Sequence, residues 1–592
     1  MKDLFLFSIV LLLSFHSFSQ NWKSSEILQS TNNIEVKGNF IDKKNNVYIY
    51  GVFQGTIENI DPTLTSLDSK DIFIAKYDES LDLIWIKQIG GPSYDYRPSI
   101  DISNDTLLVT GTFVDSVYFS DNQYIESEGF LDVFIAKYDT SGNYVNSELL
   151  FWGNDYHYSG NIKIINQEEY IISGQFWNDS VNIHNDTILK GRSNVNDPFY
   201  SKHKFSNNEL IWSKYNKLNN SGKYSNIAQY KDNLFLNGYF TDSLYFDIKP
   251  IKSKNGSRDL FLYSIDQDGN GQWLRRTYGS SDDATATMTY DNYGNLFFGG
   301  YYRSDDLVVD SASSLISQDT SHNRGYYDLF LQKFNRSGNK KKKKDYGSPG
   351  KEWTKSIKEQ NGIVYIGGYY SDSLPFGDDT LKTGGVNDYG ILLGTFDTDG
   401  NMLRGEGIDG QGGNDVANTM TVDDQNNVYL AGYFDSENIQ FGNDSYTNPN
   451  PGTKVAFIAK YAPPFDAAFV EKNNPTCHEC SNGSLTVKSY YGVPPYDYTW
   501  NHTDTLQDSI ATNLPAGDYQ VTISDSRDST AIVSTTLIDP EPIIFSPDIT
   551  RITGCHGDST GAIDIHPTGG TKPYKFFWTT EDGGGLEATA ED

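Results

Sequence analysis

The sequence predicts an all-β chain: a seven-bladed β-propeller closed by its N-terminal strand, followed by small β-sandwich modules, the second incomplete. Three observations predict it. A Gly-x-aromatic pair recurs at Gly51/Phe53, Gly111/Phe113, Gly174/Phe176, Gly238/Phe240, Gly300/Tyr302, Gly368/Tyr370 and Gly432/Phe434, with successive glycines 60, 63, 64, 62, 68 and 64 residues apart. A repeat of that period means an array of supersecondary units. Within each unit, short apolar-alternating runs are separated by turn residues, as expected of strands. No run shows helical periodicity.

The 592 residues carry 14% aromatic and 21% charged side chains, which is not a disordered composition. The formal net charge is −31, which disfavours nucleic acid and anionic membrane surfaces as partners. Residues 1–20 have the form of a secretory signal peptide. Lys2 supplies the charged end, Leu4 to Leu13 the apolar segment, and Ser17 and Ser19 the small residues before a cut at Gln20. That apolar run is too short to span a bilayer, and no later segment could. The expected location is therefore outside the cell or on its surface.

Residues 21–462 form the propeller. Each unit begins with a strand ending at an Asp or Asn turn, such as Thr287 to Asp291 or Thr419 to Asp423. The Gly-x-aromatic strand follows, and a polar bend leads from it to the third. The third strand reads Asp-x-Phe-x-x-Lys-Tyr, starting at Asp71, Asp132, Asp197, Asp259, Asp328 and Asp388, with the seventh copy at Ala456–Tyr461. The fourth often carries a tryptophan (Trp85, Trp212, Trp273) and commonly ends at glycine, as at Gly90, Gly279 and Gly347. Turns such as Ser141-Gly142-Asn143 and Asp399-Gly400-Asn401 place Gly or Asn where φ must be positive. The last unit lacks a fourth strand after Tyr461. Trp22 to Leu28 precedes the first unit as an unmatched strand, and pairing the two would close the ring and remove an exposed edge. A lone four-stranded sheet cannot cover both faces, and stacking in a ring supplies the cover.

The array resembles the seven-bladed propeller repeat (SBBP-type) family of secreted bacterial proteins. Its Asp-x-x-Gly-Asn-x-Tyr-x-x-Gly signature stands here as Asp291 to Gly300, and as Asp424 to Gly432 with Asn426 in the glycine's place. The resemblance covers residues 22–462 and implies the fold, not a ligand.

Residues 463–470 read as a linker with two prolines. A second repeat follows: Cys477, Gly483, Pro495, Tyr496 and Trp500 recur as Cys555, Gly561, Pro573, Tyr574 and Trp578, each 78 residues on. The alternating run Gly517 to Ile523 is a sandwich strand. Residues 471–542 form the first module and 543–592 an incomplete second. The pair resembles the SprB-type repeat of large surface adhesins of gliding bacteroidetes, through Gly492–Trp500 and Leu514–Tyr519. Half a sandwich cannot bury its core, so the chain reads as truncated relative to its natural product. The resemblance implies display on the surface, with type IX secretion as the export route.

Candidate chemistry is sparse. Cys477 and Cys480 are expected to form a local disulfide, with metal binding as the alternative; a zinc site lacks a second ligand pair. Asp266 to Asn270 and Asp397 to Asn401 look like the opening of calcium loops, but no late carboxylate follows, so they read as hairpin turns. Asp-Ser or Asp-Thr before an aliphatic residue recurs at Ser116, Ser180, Ser243, Ser373 and Thr380. Turn chemistry explains it, and it also resembles the O-glycosylation acceptor motif of exported bacteroidete proteins. Lys340 to Lys344 reads as a hairpin tip of solvated charge. No nucleophile–base–orienter set can be assembled, and no catalytic, cofactor or metal residues are assigned.

These readings converge on an exported, non-enzymatic surface protein that binds a surface, glycan or protein in adhesion or gliding. The alternatives are a carbohydrate-active enzyme (lyase or glycoside hydrolase) on the propeller face, marked by two carboxyls roughly 5–10 Å apart, and a purely structural spacer.

Overall fold

The computed structural model describes residues 21–578, apart from 178–179, 185–186, 191–194, 311–322, 378, 385–386, 411, 504–505, 552, 556 and 558–560. The signal segment expected at 1–20 lies outside the described residues. The chain divides into two units at Pro463/Pro464. Each described element of regular structure is a strand or a short turn.

The first unit is built on seven antiparallel four-stranded blades, with accessory strands extending the sheet of blade 2 to six strands and that of blade 4 to five. Blade 1 is Ile34–Ile41, Val47–Phe53, Asp71–Tyr77 and Leu83–Ile89, in that spatial order. The innermost strands of the other blades are Tyr96–Ser103, His157–Ile164, Gly222–Tyr230, Ala284–Tyr290, Trp353–Gln360 and Asp415–Val422. Each lies against the innermost strand of the next blade, and that of blade 7 lies against that of blade 1. Blade 7 takes its outer strand from the other end of the unit. Trp22–Leu28 runs antiparallel to Val455–Tyr461, with Ser25 opposite Ala459 and Leu28 opposite Ala456. At this seam Asn39 Nδ2 donates to the Tyr429 carbonyl (2.8 Å), Thr419 Oγ1 to Asn39 Oδ1 (2.7 Å) and Asn418 Nδ2 to the Val36 carbonyl (3.0 Å). Below them Val36, Ile49 and Phe73 share one buried core with Tyr429, Ala431 and Ile458.

The repeated residues have repeated jobs. The third-strand lysine reaches from one blade to the turn of the next. Lys76 Nζ donates to the Thr140 carbonyl (2.9 Å), Lys137 to those of Phe205 and Ser206, Lys202 to Gln267 (3.3 Å) and Lys333 to Thr398 (2.6 Å). Lys460 of blade 7 reaches the Glu79 carbonyl of blade 1 (2.9 Å). Trp85, Trp212 and Trp273 donate through Nε1 to the same turns, at Thr140, Gln267 and Arg336. In five blades the third-strand Asp is buried and accepts bonds from loop N–H groups, such as Leu67 to Asp71, Glu128 to Asp132 and Leu218 to Asp197. The glycine ending the fourth strand makes room for it. A Cβ on Gly90 would stand 2.2 Å from the Asp71 carboxyl carbon.

Three expectations are corrected. The link between second and third strands is not a polar bend but a β-hairpin in most blades: Ser116–Ser120 with Gln123–Glu126, Ser180–Ile183 with Thr187–Lys190, Ser243–Tyr245 with Pro250–Lys252, Ser373–Phe376 with Asp379–Lys382. Apolar residues at alternate positions, such as Val117 and Phe119, are buried against the blade. Lys340 to Lys344 is not a tip but part of strand Lys340–Tyr346, the outermost of blade 5, where an edge position tolerates charge. The linker at 463–470 is shorter than expected, because Asp466–Asn473 is already a strand paired with Gly483–Tyr490.

In the second unit, the sheet Asp466–Asn473, Gly483–Tyr490, Ile510–Leu514 faces a sheet of Asp497–Trp500, Gly517–Ser524 and Thr530–Leu537. Leu485, Val487, Trp500, Val521 and Ile523 fill the space between. The second copy contributes the hairpin Ile544–Thr550 with Ala562–Thr568.

Candidate functional site

The Gly-x-aromatic motif builds the propeller's channel mouth. Near the start of each innermost strand the register slips, as between Val36 and Gly38, Tyr96 and Ser99, Tyr224 and Asn226, Thr354 and Ser356, and Ala417 and Thr419. These are β-bulges, which bend a strand and re-aim its side chains. In blades 1, 4, 6 and 7 the bulge brings a carbonyl over the motif glycine. A Cβ at Gly51 would lie 1.9 Å from the Glu35 oxygen, and one at Gly432 1.9 Å from that of Val416. Only glycine fits beneath such a bulge. The motif aromatic, from Phe53 to Phe434, is buried in the blade. The middle residue, on the opposite strand face, stands at the mouth, and it is tyrosine in four blades: Tyr239, Tyr301, Tyr369 and Tyr433.

The bulges carry cations to the same place. Lys37, Arg97 and Lys355 lie within the register slips of blades 1, 2 and 6, and Lys223 just before that of blade 4. Arg97 adopts φ 54°, a left-handed conformation that a branched chain would resist. A cavity of about 810 Å³ at the mouth is lined by Lys37, Tyr96, Arg97, Phe130, Tyr156 and Lys223. It shares Lys37 and Lys223 with a deeper space of about 860 Å³ that reaches Arg258, Trp353 and Lys355.

Aromatic faces hold most of these cations. Lys355 Nζ lies 3.3 Å from the Trp353 ring centre and 5.7 Å from that of Tyr369. The Arg97 guanidinium lies 4.0 Å from Tyr158, Arg258 4.6 Å from Tyr239 and Lys454 Nζ 4.1 Å from Tyr433. Tyr301, Trp353, Tyr369 and Tyr389 continue as an aromatic arc with ring centres 4.5, 6.0 and 4.8 Å apart.

The charge balance is one-sided. Glu35 is the one carboxylate lining the outer cavity. Burial alone would raise its pKa, but Lys37 and Lys454 pair with it and hold it at about 2. Channel walls and the ammoniums of Lys37 and Lys223 push Lys355 down to about 8. The same walls, with Arg97 and Arg258, lower Lys223. Among the described residues, no carboxylate lies within ion-pair distance of Arg97, Lys223, Arg258 or Lys355. The Arg258 Nε is buried with no hydrogen-bond partner. Like charges at close quarters in a walled space favour an anion between them.

The residues singled out from sequence lie elsewhere. Cys477 and Cys480 form a disulfide, with Cα atoms 5.3 Å apart. The Glu479 N–H donates to Asp539 (3.0 Å), and His478 Nδ1 stands 2.7 Å from the same carboxylate. Cys555 is exposed in the second copy. Ser116, Ser180, Ser243 and Ser373 open the accessory hairpins, and Thr380 lies on the return strand of the last. Ser180 and Thr380 are exposed, the others half-buried. The preceding Asp115, Asp242 and Asp372 adopt φ of 60°, 62° and 66°, and their carbonyls accept the bonds that close the hairpins. Asp tolerates that conformation better than most residues, which accounts for the motif structurally. The calcium-like stretches are turns: Asp266 Oδ1 accepts from the N–H groups of Asp268 (3.0 Å) and Asn270 (2.8 Å), and Asp397 does the same with Asp399 and Asn401. Among the described residues no group of three or more His, Cys, Asp or Glu is placed to hold a metal ion.

Sequence reasoning passed over the mouth. A signal was present: tyrosine at the middle of four motif copies, and a cation near the start of four innermost strands.

Comparison with known proteins adds the following. Residues 470–505 and 554–583 match the SprB repeat family model. An uncharacterized WD repeat-containing protein, L264, of Acanthamoeba polyphaga mimivirus is 26% identical over 141 residues, covering 19% of this chain and 10% of that protein. The chain thus spans a tenth of the curated relative it matches. Among solved structures, the subtype N10 neuraminidase-like protein of A/little yellow-shouldered bat/Guatemala/060/2010 is 8% identical at a TM-score of 0.30, covering 62% of this chain and 95% of that one. A member of the duf4221 family from Bacteroides vulgatus atcc 8482 is 10% identical at 0.27, covering 59% and 93%.

Proposed function

We propose that this is an exported cell-surface binding protein without enzymatic activity, serving in attachment or gliding, with the propeller mouth as its receptor face. The observation that carries the reading is the ring of tyrosines and cations that the bulges hold around the channel mouth. Aromatic faces stack on the apolar faces of sugar rings, and charged groups between them supply orientation. The SprB-type modules fit a surface role, and further copies would add avidity. In this reading the SBBP-type resemblance and type IX export describe the route, the N-terminal strand is the clasp of the ring, and no cofactor is needed. Glycosylation at Ser116, Ser180, Ser243, Ser373 and Thr380 would decorate the hairpins at the rim.

No helix among the described residues is long and apolar enough to cross a membrane. A glycan array probed with the full chain tests the proposal. Binding to a defined subset of sugars, lost on Trp353→Ala and Tyr369→Ala, is expected. Signal at background for every sugar would leave the spacer reading, and a change in sugar mass on incubation would establish the enzyme reading.

A further inference from the structure

We propose that the channel mouth binds an acidic sugar, a carboxylated or sulfated unit at the end of a glycan chain, with its anionic group between Lys223 and Lys355. The inference rests on the binding role above and names its ligand class.

Charge is the first support. In a chain of formal net charge −31, Lys37, Arg97, Lys223, Arg258, Lys355 and Lys454 gather at one opening, against Glu35. They come from five different blades, so the concentration is a product of the ring and not of a basic stretch of sequence. Lys355 feels the charges of Lys37, Lys223 and Lys454, and Lys223 feels those of Arg97 and Arg258. Lys37, Lys223, Arg258 and Lys355 line one space of about 860 Å³, which Asp101 and Glu359 also line. Glu35 is paired with Lys37 and Lys454, and its charge offsets only part of the field of Lys37, Lys223 and Lys454 at Lys355. Arg258, which lines the same space, is a further cation beside them.

Aromatic geometry is the second support. Trp353, half-buried, lies against Lys355 and lines the same space, so its accessible part offers flat apolar surface beside the charge, with the buried Tyr369 behind it. A sugar ring with a carboxylate or sulfate ester matches that pairing: ring C–H groups on the aromatic face, anion on the ammonium. The space of about 860 Å³ that Lys223, Trp353 and Lys355 line together admits a chain end of a few sugars. Bases could stack on the same rings. A long polynucleotide, however, would carry its many phosphates along a strongly acidic outer surface, which repels it.

Isothermal titration of the full chain tests the proposal with four probes: an oligogalacturonate, a sulfated galactan oligosaccharide, a neutral galactan oligosaccharide of equal length, and oligothymidylate. The acidic sugars are expected to bind about tenfold or more tightly than the neutral one, and added salt to weaken them. Binding of one acidic sugar alone assigns carboxylate or sulfate. Lys223→Gln with Lys355→Gln should lower affinity about tenfold or more, with an unchanged circular dichroism spectrum. Lys341→Gln with Lys342→Gln, on the exposed outer strand of blade 5, should leave it unchanged. Equal binding of the neutral sugar overturns the proposal and leaves the binding role standing. Tighter binding of oligothymidylate, or loss of binding in the blade 5 variant instead of the channel variant, also overturns it. Binding of no probe overturns this proposal; silence on the whole array as well overturns the binding role.

Discussion

Blade 7 and the second SprB-type copy meet the same problem with different outcomes. Each is a sheet that cannot cover itself. Blade 7 receives Trp22–Leu28 as its outer strand and packs its inner face against blade 1. Its apolar residues disappear: Ala456, Phe457 and Tyr461 are fully buried. In the second copy, the hairpin Ile544–Thr550 with Ala562–Thr568 has no further sheet over it among the described residues. Its Phe545 is 61% exposed where Ala467 of the first copy is 7% exposed, and Ile563 is 53% exposed where Leu485 is 0%. The matching positions are apolar in both copies. Neighbours, not sequence identity, decide whether a repeat acquires a core.

Removing the neighbour from blade 7 should have the largest effect. Deleting residues 21–30 strips strand bonds along Val455–Tyr461 and exposes the sites of Trp22 and Leu28. The cost should be about 5–10 kcal/mol, from a few kcal/mol per buried side chain and about 1 kcal/mol per bond. Calorimetry should show the propeller transition falling steeply while the sandwich transition stays. An unmoved propeller transition would mean that this strand is not a clasp.

The two SprB-type copies provide the next comparison. Trp500 is 1% exposed and donates through Nε1 to the Asp508 carbonyl (2.9 Å). Trp500→Ala should cost about 3–5 kcal/mol by leaving a cavity. Trp578→Ala, at the same position of the second copy, should cost under about 1 kcal/mol. Equal losses in urea titrations would show that the second copy is packed after all.

Acidification should separate propeller from sandwich by a smaller amount. Burial pushes Asp71 and Asp328 up to about 6, Asp259 and Asp415 to about 7, and Asp283 and Glu352 to about 8. The folded propeller then binds more protons than the unfolded chain between pH 4 and 8. The contribution of these groups is complete below the unfolded pKa and is lost as pH rises through the folded values. His203 acts oppositely: burial lowers it to about 4, so its contribution is lost as pH falls from about 6.5 towards 4. In the sandwich, burial would raise Asp525, but the N–H groups of Val493, Arg527 and Ser529 and the Arg527 side chain hold it below the usual range. That contribution is present above the unfolded pKa and lost only in acid. From pH 8 to pH 6 the propeller transition should therefore rise by about 2–5 °C and the sandwich transition stay level. A propeller transition that falls over that range would contradict the burial of these carboxylates.

Much of the fold was legible because its signals are local. Gly142, Gly269 and Gly400 stand at positive φ where the turns were read. The strand Trp22–Leu28 was recognisable because the units were counted and one came up short. The accessory hairpins were missed because a two-to-five-residue strand gives little alternation to read, and the linker was misjudged because two prolines obscured a strand starting at Asp466.

By itself the sequence determined the period, the number of units, the turn chemistry and the duplicated Cys-to-Trp framework, since each rests on residues within about 80 positions of one another. What faces the channel was decided only in three dimensions. A β-bulge turns Lys37, Arg97 and Lys355 inward, and the ring sets Lys355 near Lys37, which is over 300 residues away. The motif glycine of each blade is plain in the sequence. Which cations the bulges gather into one field depends on contacts between blades.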